Sequence, residues 1–324
     1  MIRARGPIPF RDWMEAALYD PEFGYYNRRD LKRWGRQGDY RTSAERSELF
    51  AATFARYFAK LYDELGRPSR WTIVEGGAGD GSFAQRVQRA FASDYPQIFA
   101  ATHYHTSEID DDPSDPCLYF SNELLDAFPV HRIVNDGELY VTLDSSNNFT
   151  WSVGPFSTPR LAQFLEDHSI GLSPGQTIEI NLAIDDWLTS LASKLKRGYV
   201  ITVDYGAEAS ELYDPALRPN GTLRAFSKHK FVDDVLLAPG EYDITSSVNW
   251  TQVKATGERL GLRVVEFESQ DRFLLRAGLL DELGQRLKRI EKEADKLRLT
   301  TDAREMILPG GMASSFQVLV QERR

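Results

Sequence analysis

The stretch that most restricts the fold is residues 71–83, WTIVEGGAGDGSF. A short run of apolar and β-branched residues leads straight into glycines at 76, 77, 79 and 81. The first part reads as a buried strand, and residues from about 82 to 92 read as a helix. Glycines between a strand and a helix mark a turn whose backbone must come close to something, because side chains there would block the approach. In open α/β sheets such turns sit at the carboxyl ends of strands, where ligands bind.

Three ligands compete for such a turn. A phosphate loop requires Gly-x-x-x-x-Gly-Lys-Ser/Thr, and no lysine follows here. A dinucleotide fingerprint requires Gly-x-Gly-x-x-Gly; from Gly77 the third position is Ser82, and no register supplies the third glycine. What stands is Glu75, Gly76, Gly77, Ala78, Gly79, Asp80 and Gly81, an acidic residue followed by spaced glycines. This spacing resembles motif I of the Rossmann-like methyltransferases, which bind S-adenosyl-L-methionine. Bare backbone lets the amino-acid and ribose parts of that cofactor lie close, and a carboxylate near the turn suits its ammonium group. A purely structural glycine turn is the alternative that the motif alone leaves open.

A nucleoside ligand needs an acceptor for its ribose hydroxyls, normally an acidic residue at the end of the second strand. Residues 102–108, THYHTSE, read as that strand and end on Glu108. The third strand, 117–123, runs into SNELLDAFPV, which puts Asn122, Glu123 and Asp126 within five residues. Two carboxylates at a strand's carboxyl end can hold a guanidinium, whose planar fork matches carboxylates. A helix N-cap made by Asn122, with Glu123 in the first turn, is the alternative on physics alone.

Helical spacing covers 10–19 and 44–65, with Thr42 and Ser43 as caps of the second helix. Residues 130–153 read as hairpin strands, 159–168 and 183–195 as helices, and 198–206, GYVITVDYG, as the most strand-like run. Asp204 ends that run and is a further crevice candidate. Residues 250–261 read as a helix, 279–306 as a charged helical stretch and 314–323 as a closing strand. Strand–helix alternation implies a mostly parallel sheet covered on both faces. The expected organisation is an N-terminal helical segment over 1–70 and an α/β domain over 71–324, with insertions at about 131–178 and 277–306.

The net charge of −9 argues against nucleic acid and against a polybasic membrane site. One cysteine, Cys117, allows neither an intrachain disulfide nor a cysteine zinc cluster, and no metal site is expected. No apolar run is long enough to span a membrane, and MIRARGPIPF lacks a secretory pattern. A cytoplasmic location is the expectation.

Several blocks together resemble one family, the MidA-like (DUF185) methyltransferases. GPIPFRDWMEAALYDPEFGYY (6–26) is similar to its opening block, and GDYRTSAERSELF (38–50) to its Gly-Asp-Phe-x-Thr-Ser-Pro-Glu-x-Ser block. EGGAGDGSF looks like its cofactor turn, and SNELLDAFPV like its Ala-Asn-Glu-x-x-Asp-Ala-x-Pro block. VDYG, GTLRAFSKH, PGEYDIT, SQDRFLL and ILPGGMASSFQVL follow in the family's order, so the resemblance covers nearly the whole chain. It implies an α/β fold with a Rossmann-like class I methyltransferase sheet and S-adenosyl-L-methionine as cofactor. It further implies that Glu75, Gly77, Gly79, Gly81 and Glu108 line the cofactor, and that Asp39, Thr42 and Ser43 close over it. Asn122, Glu123 and Asp126 would face the methyl acceptor. Arg224 and His229 sit in GTLRAFSKH; loop packing and capping is the alternative to a functional role for both, and is the expectation for His229.

The chain departs from the family at several places. Ala44 stands where Pro is usual, Ala51 and Ala52 where Gly-Glu is, and Ala313 where Gly is. Ser247, Val248 and Asn249 stand where the family has His-Val-Asp. Only 13 residues separate Glu108 from Asn122, too few for the usual helix and strand, so the region that covers the adenine looks trimmed. The expected activity is methylation of a protein arginine nitrogen in an acidic crevice, because the family includes a mitochondrial arginine methyltransferase. The partner is then an arginine-bearing protein segment, and a homodimer stays open. Two rivals remain: a catalytically degenerate scaffold that serves binding or assembly, and a small-molecule methyltransferase.

Overall fold

The computed structural model describes residues 2–28, 47–106, 116–135, 137–227, 230–308 and 315–324. Along them run α1 (Ile2–Arg5), β1 (Ile8–Pro9), α2 (Phe10–Tyr19), α3 (Glu48–Glu64), β2 (Trp71–Gly76), α4 (Ser82–Asp94), α5 (Pro96–Ala101), β3 (Thr102–His105) and β4 (Cys117–Asn122). A 3-10 turn at Leu125–Ala127 precedes β5 (His131–Val134), β6 (Gly137–Leu143), β7 (Phe149–Gly154), α6 (Pro159–Asp167), β8 (Thr177–Ile180), α7 (Ala183–Lys194) and β9 (Gly198–Ala207). Then come α8 (Ala209–Leu212), β10 (Arg224–Ser227), β11 (Lys230–Phe231), β12 (Asp243–Thr245), β13 (Val248–Asn249) and α9 (Trp250–Arg259). The described elements close with β14 (Arg263–Ser269), α10 (Gln270–Arg276), α11 (Leu279–Arg289), α12 (Glu293–Ile307) and β15 (Phe316–Arg323).

The chain divides into two compact units, each drawn from three segments. The first takes the described residues of Met1–Tyr40, Leu125–Trp187 and Gly206–Val253. The second takes those of Arg41–Leu124, Leu188–Tyr205 and Lys254–Arg324. The expected break at residue 70 has no counterpart in this division. The N-terminal helices belong with the hairpins, and α3 belongs with the large sheet.

In the first unit, β1-β6-β5-β8 form an antiparallel sheet with β7 also on β6, and β11-β10-β12 form a second one. Ile8 and Pro9 of β1 pair with Val141 and Tyr140 of β6. The apolar face of α2 explains this attachment. Phe10, Trp13, Met14, Ala17 and Leu18 recur at helical spacing and are buried, in one core with Val130, Val141 and Ile244. The hairpins expected over 130–153 are β5, β6 and β7, with Asn135 at φ +49° in the first turn.

The second unit is built on the sheet β14-β15-β9-β4-β2-β3. β3, β2, β4 and β9 are parallel neighbours, whereas β15 runs antiparallel to both β9 and β14. The parallel part was expected from strand–helix alternation; the antiparallel strand among its neighbours was not. Interior parallel strands are covered on both faces and read as continuous apolar runs. Accordingly every residue of β2 is buried, and β9 is buried from Gly198 to Asp204.

Helix α3 opens at Glu48, later than the expected residue 44. Ser47 caps it: its Oγ accepts from the N–H groups of Leu49 and Phe50 at 3.2 and 3.4 Å. Phe50, Phe54 and Phe58 of α3 are fully buried. Phe83, in the first turn of α4, stacks on Phe120 of β4 with centroids 4.6 Å apart and planes 15° apart. Phe54 lies 5.2 Å from the same Phe120 ring and 5.3 Å from Phe273 of α10. This cluster fixes the start of α4 against β4, and with it the turn that joins β2 to α4. Phe120→Ala should therefore lower unfolding free energy by about 3–5 kcal/mol in urea titrations, and Phe120→Leu by less. A loss under about 1 kcal/mol for the alanine variant would show that the cluster is not the anchor.

Candidate functional site

Strand β2 pairs in parallel with β3 on one side and β4 on the other, so the chain order reverses at β2. The carboxyl ends of strands at such a switch point form the ligand crevice of open α/β sheets. The glycine turn follows the end of β2. Gly77, Gly79 and Gly81 have φ of +67°, +56° and +71°. A side chain there would be disfavoured by about 1–2 kcal/mol per residue. The turn closes with a Gly81 N–H bond to the Ala78 carbonyl at 2.8 Å, and Asp80 Oδ1 accepts from the Ser82 N–H at 2.9 Å.

The glycines serve different ends. A Cβ at Gly76 would stand 1.8 Å from the Tyr119 hydroxyl oxygen, and one at Gly77 would stand 3.1 Å from Leu124 Cδ1. Tyr119 of β4 and Leu124, just beyond that strand, pack against these two positions. At Gly81 no atom of the described residues lies within 4 Å of where a Cβ would be. Bare backbone with open space beside it fits a ligand laid against the turn. At Gly76 and Gly77 close approach is also to the chain's own side chains.

Glu75 precedes the turn and is only 5% exposed. Tyr104 of β3 donates its hydroxyl to Glu75 Oε2 at 2.9 Å. Burial pushes the Glu75 carboxyl up to about 7, against the Tyr104 hydrogen bond, which lowers it; Asp80 adds a smaller upward push. A cationic group brought to Glu75 would favour its charged form. The sequence reading did not single out Tyr104, because the register that sets it against β2, Ile73 opposite Tyr104, is a tertiary fact.

At the end of β4, Asn122 sits opposite Val203 of β9. Glu123 follows with φ +52°, in the left-handed region that residues with a side chain rarely adopt. Its N–H donates to the Val203 carbonyl at 2.9 Å, and Asn122 Nδ2 donates to Glu123 Oε1 at 3.1 Å. The helix N-cap alternative does not form. Asp204 is fully buried; its Oδ2 accepts from the Leu124 N–H at 3.2 Å and its Oδ1 from the Tyr205 N–H at 2.9 Å. Asp126 falls in the first unit, in the 3-10 turn, 4% exposed. Its carbonyl accepts from the Ser246 N–H at 2.9 Å.

Two departures from the family pattern have structural duties within the first unit. Asn249 Oδ1 accepts from the Gln252 N–H at 3.1 Å at the start of α9, and its Nδ2 donates to the Tyr213 hydroxyl at 3.1 Å. Asparagine and aspartate cap helices about equally well, so this exchange preserves the cap. Ser247 Oγ accepts from Arg224 at 3.3 Å. Asp39, Thr42, Ser43, Glu108 and His229 lie outside the described residues. Of the expected site, then, Glu75, the glycine turn, Asn122 and Glu123 share the carboxyl ends of two neighbouring strands.

The raised Glu75 pKa sets a direction for stability. The unfolded chain releases this proton near 4.3, whereas the folded chain holds it to about 7. The contribution of Glu75 is thus full at low pH and is lost as pH rises through 7. Glu75→Gln has no proton to lose. Its melting temperature relative to the parent chain should be higher at pH 8 than at pH 5; an equal difference at both would show that Glu75 is not buried as a neutral acid.

The comparisons with known proteins agree with this geometry. The sequence profile of the family described as "Putative S-adenosyl-L-methionine-dependent methyltransferase" matches residues 53–113 and 106–268. Among solved structures, a protein from Burkholderia thailandensis bound to S-adenosyl-homocysteine is similar over 99% of this chain and 89% of its own, with a TM-score of 0.84 and 27% identity. The curated "Protein arginine methyltransferase NDUFAF7 homolog, mitochondrial" of Drosophila melanogaster is 26% identical over 80% of this chain and 69% of its own length. The human "Protein arginine methyltransferase NDUFAF7, mitochondrial" is 23% identical over 78% of this chain and 66% of its own. These relatives are mitochondrial proteins, which overturns the expected cytoplasmic location. The homodimer finds no support in them. No helix among the described residues is long and apolar enough to cross a membrane. The profile match spans well over half of the chain and the bound relative shares its fold: the chain belongs to this family, and is an S-adenosyl-L-methionine-dependent methyltransferase with a Rossmann-like class I sheet.

Proposed function

We propose that this methyltransferase acts on an arginine side chain of a protein, with Asn122 and Glu123 facing the guanidinium. Glu123 carries the reading. It is an acidic residue in a rare backbone conformation at the carboxyl end of β4, one strand away from the glycine turn. The names of the curated relatives, protein arginine methyltransferases, support the choice of acceptor.

S-adenosyl-L-methionine supplies a methyl group already activated on a sulfonium. Glu75, Gly77, Gly79 and Gly81 are the described residues that would hold it; Glu108, Asp39, Thr42 and Ser43 keep the roles that the resemblance implies. A guanidinium has N–H donors and no acceptor, so it needs a site that only accepts. The Glu123 carboxylate accepts. Asn122 donates its Nδ2 to Glu123, which leaves its Oδ1 to accept as well. A carboxylate against one edge of the guanidinium draws positive charge to that edge and leaves the opposite nitrogen richer in electrons. The extra proton that methylation leaves on the guanidine can leave from the edge that faces Glu123, whose carboxylate takes it. Methyl transfer needs little further acid–base chemistry; most of the gain comes from holding the nucleophile in line. That Asp126 faces a methyl acceptor stays a separate proposal.

The test supplies tritium-labelled S-adenosyl-L-methionine with matched peptides carrying arginine or lysine, and reads methylarginine by mass spectrometry. Label should enter arginine peptides only. Glu123→Gln should lower kcat by about 100-fold or more, the scale of losing one charge-stabilising group, and Asp126→Asn should lower it less. Binding of S-adenosyl-homocysteine without transfer to any peptide would favour the silent-scaffold reading, and label in small molecules alone the small-molecule one.

A further inference from the structure

We propose that Asp204 is a positioning residue that holds Glu123 in its left-handed backbone conformation and so sets the direction of the Glu123 carboxylate. The inference rests on the reading of Glu123 as a group that faces the methyl acceptor.

The parallel ladder between β4 and β9 ends at Asn122 opposite Val203. An extended residue 123 would continue it. Instead the backbone turns, with φ +52°. Such a conformation persists in a residue with a side chain only when its surroundings over-determine it. Here they do so from β9. The Glu123 N–H is tied to the Val203 carbonyl at 2.9 Å. One residue on, the Leu124 N–H is tied to Asp204 Oδ2 at 3.2 Å, while Oδ1 accepts from the Tyr205 N–H at 2.9 Å. One oxygen of Asp204 thus holds the residue after the turn, while the other is engaged by the N–H of its own neighbour on β9.

The chemistry of this hold is specific. It takes two N–H donors, and an ionised carboxylate offers two acceptor oxygens. Asparagine offers one oxygen and would turn an NH₂ toward the other N–H. Asp204 is fully buried with both oxygens engaged, which is unlike a group that meets a substrate. Burying a charge is costly unless hydrogen bonds offset it, and both of these bonds go to backbone. Asp204, first read as a crevice candidate, acts through Glu123.

The test is a double-mutant cycle. Asp204→Ala and the milder Asp204→Asn are each made with Glu123 and with Glu123→Gly, since glycine accepts a positive φ without strain. With Glu123 present, loss of Asp204 should lower the melting temperature by about 3 °C more than in the glycine background. Backbone coupling constants should show φ at residue 123 leaving the positive region in the Asp204 variants. Affinity for S-adenosyl-homocysteine should hold, while kcat on an arginine peptide falls by about tenfold or more and KM for S-adenosyl-L-methionine stays put. Equal thermal losses in the two backgrounds, with φ still positive, would overturn the proposal. If the parent chain methylates no arginine, the proposed acceptor fails, while the thermal cycle and the φ measurement still decide the role of Asp204.

Discussion

The stack of Phe83 on Phe120 is the contact on which the rest of the site depends. Phe83 opens the helix that follows the glycine turn, and Phe120 lies on the strand beside the one that precedes it. A turn with three left-handed glycines has little stiffness of its own. Its shape is imposed by what its two ends are fastened to. Fastening both ends to the same pair of strands makes a flexible loop into a defined edge of the crevice. The glycines then add what packing alone cannot: room for Tyr119 and Leu124 behind the turn, and open backbone at Gly81.

Two buried carboxylates flank this edge, and the contrast between them is instructive. Asp204 has both oxygens tied to backbone N–H groups, and its work is internal. Glu75 has a tyrosine hydroxyl on one oxygen and burial that raises its proton affinity to about 7. A cation brought to such a carboxyl would favour its charged form. Similar residue types, at the ends of strands two places apart in one sheet, are thus turned to opposite uses by their hydrogen bonds.

Much of this was legible in the residues. The apolar runs of β2, β4 and β9 carry their own strand signal, and the spacing Glu75, Gly77, Gly79, Gly81 identifies the turn. The end of β4 could be located from SNELLDAFPV. What the residues do not display is pairing. Helical spacing alone could not say that α2 packs with strands more than a hundred residues downstream while α3 packs under a different sheet. Nor does a local pattern reveal a positive φ at Glu123, since nothing about glutamate favours it; the cause is Val203 and Asp204, eighty residues away. Nor does the sequence show that the bareness of Gly76 makes room for Tyr119.

The place of β15 bears on how the sheet can be assembled. It pairs with β9 on one side and β14 on the other, yet it follows every other described strand in the chain. Until it arrives, β9 and β14 each present a line of unpaired backbone groups, and the sheet cannot extend from β9 to β14. Open strand edges of this kind invite pairing with other chains, and long-range strand pairing is slow to form. The order of synthesis therefore runs against the order of the sheet: the strand that joins its two parts is made after both of them.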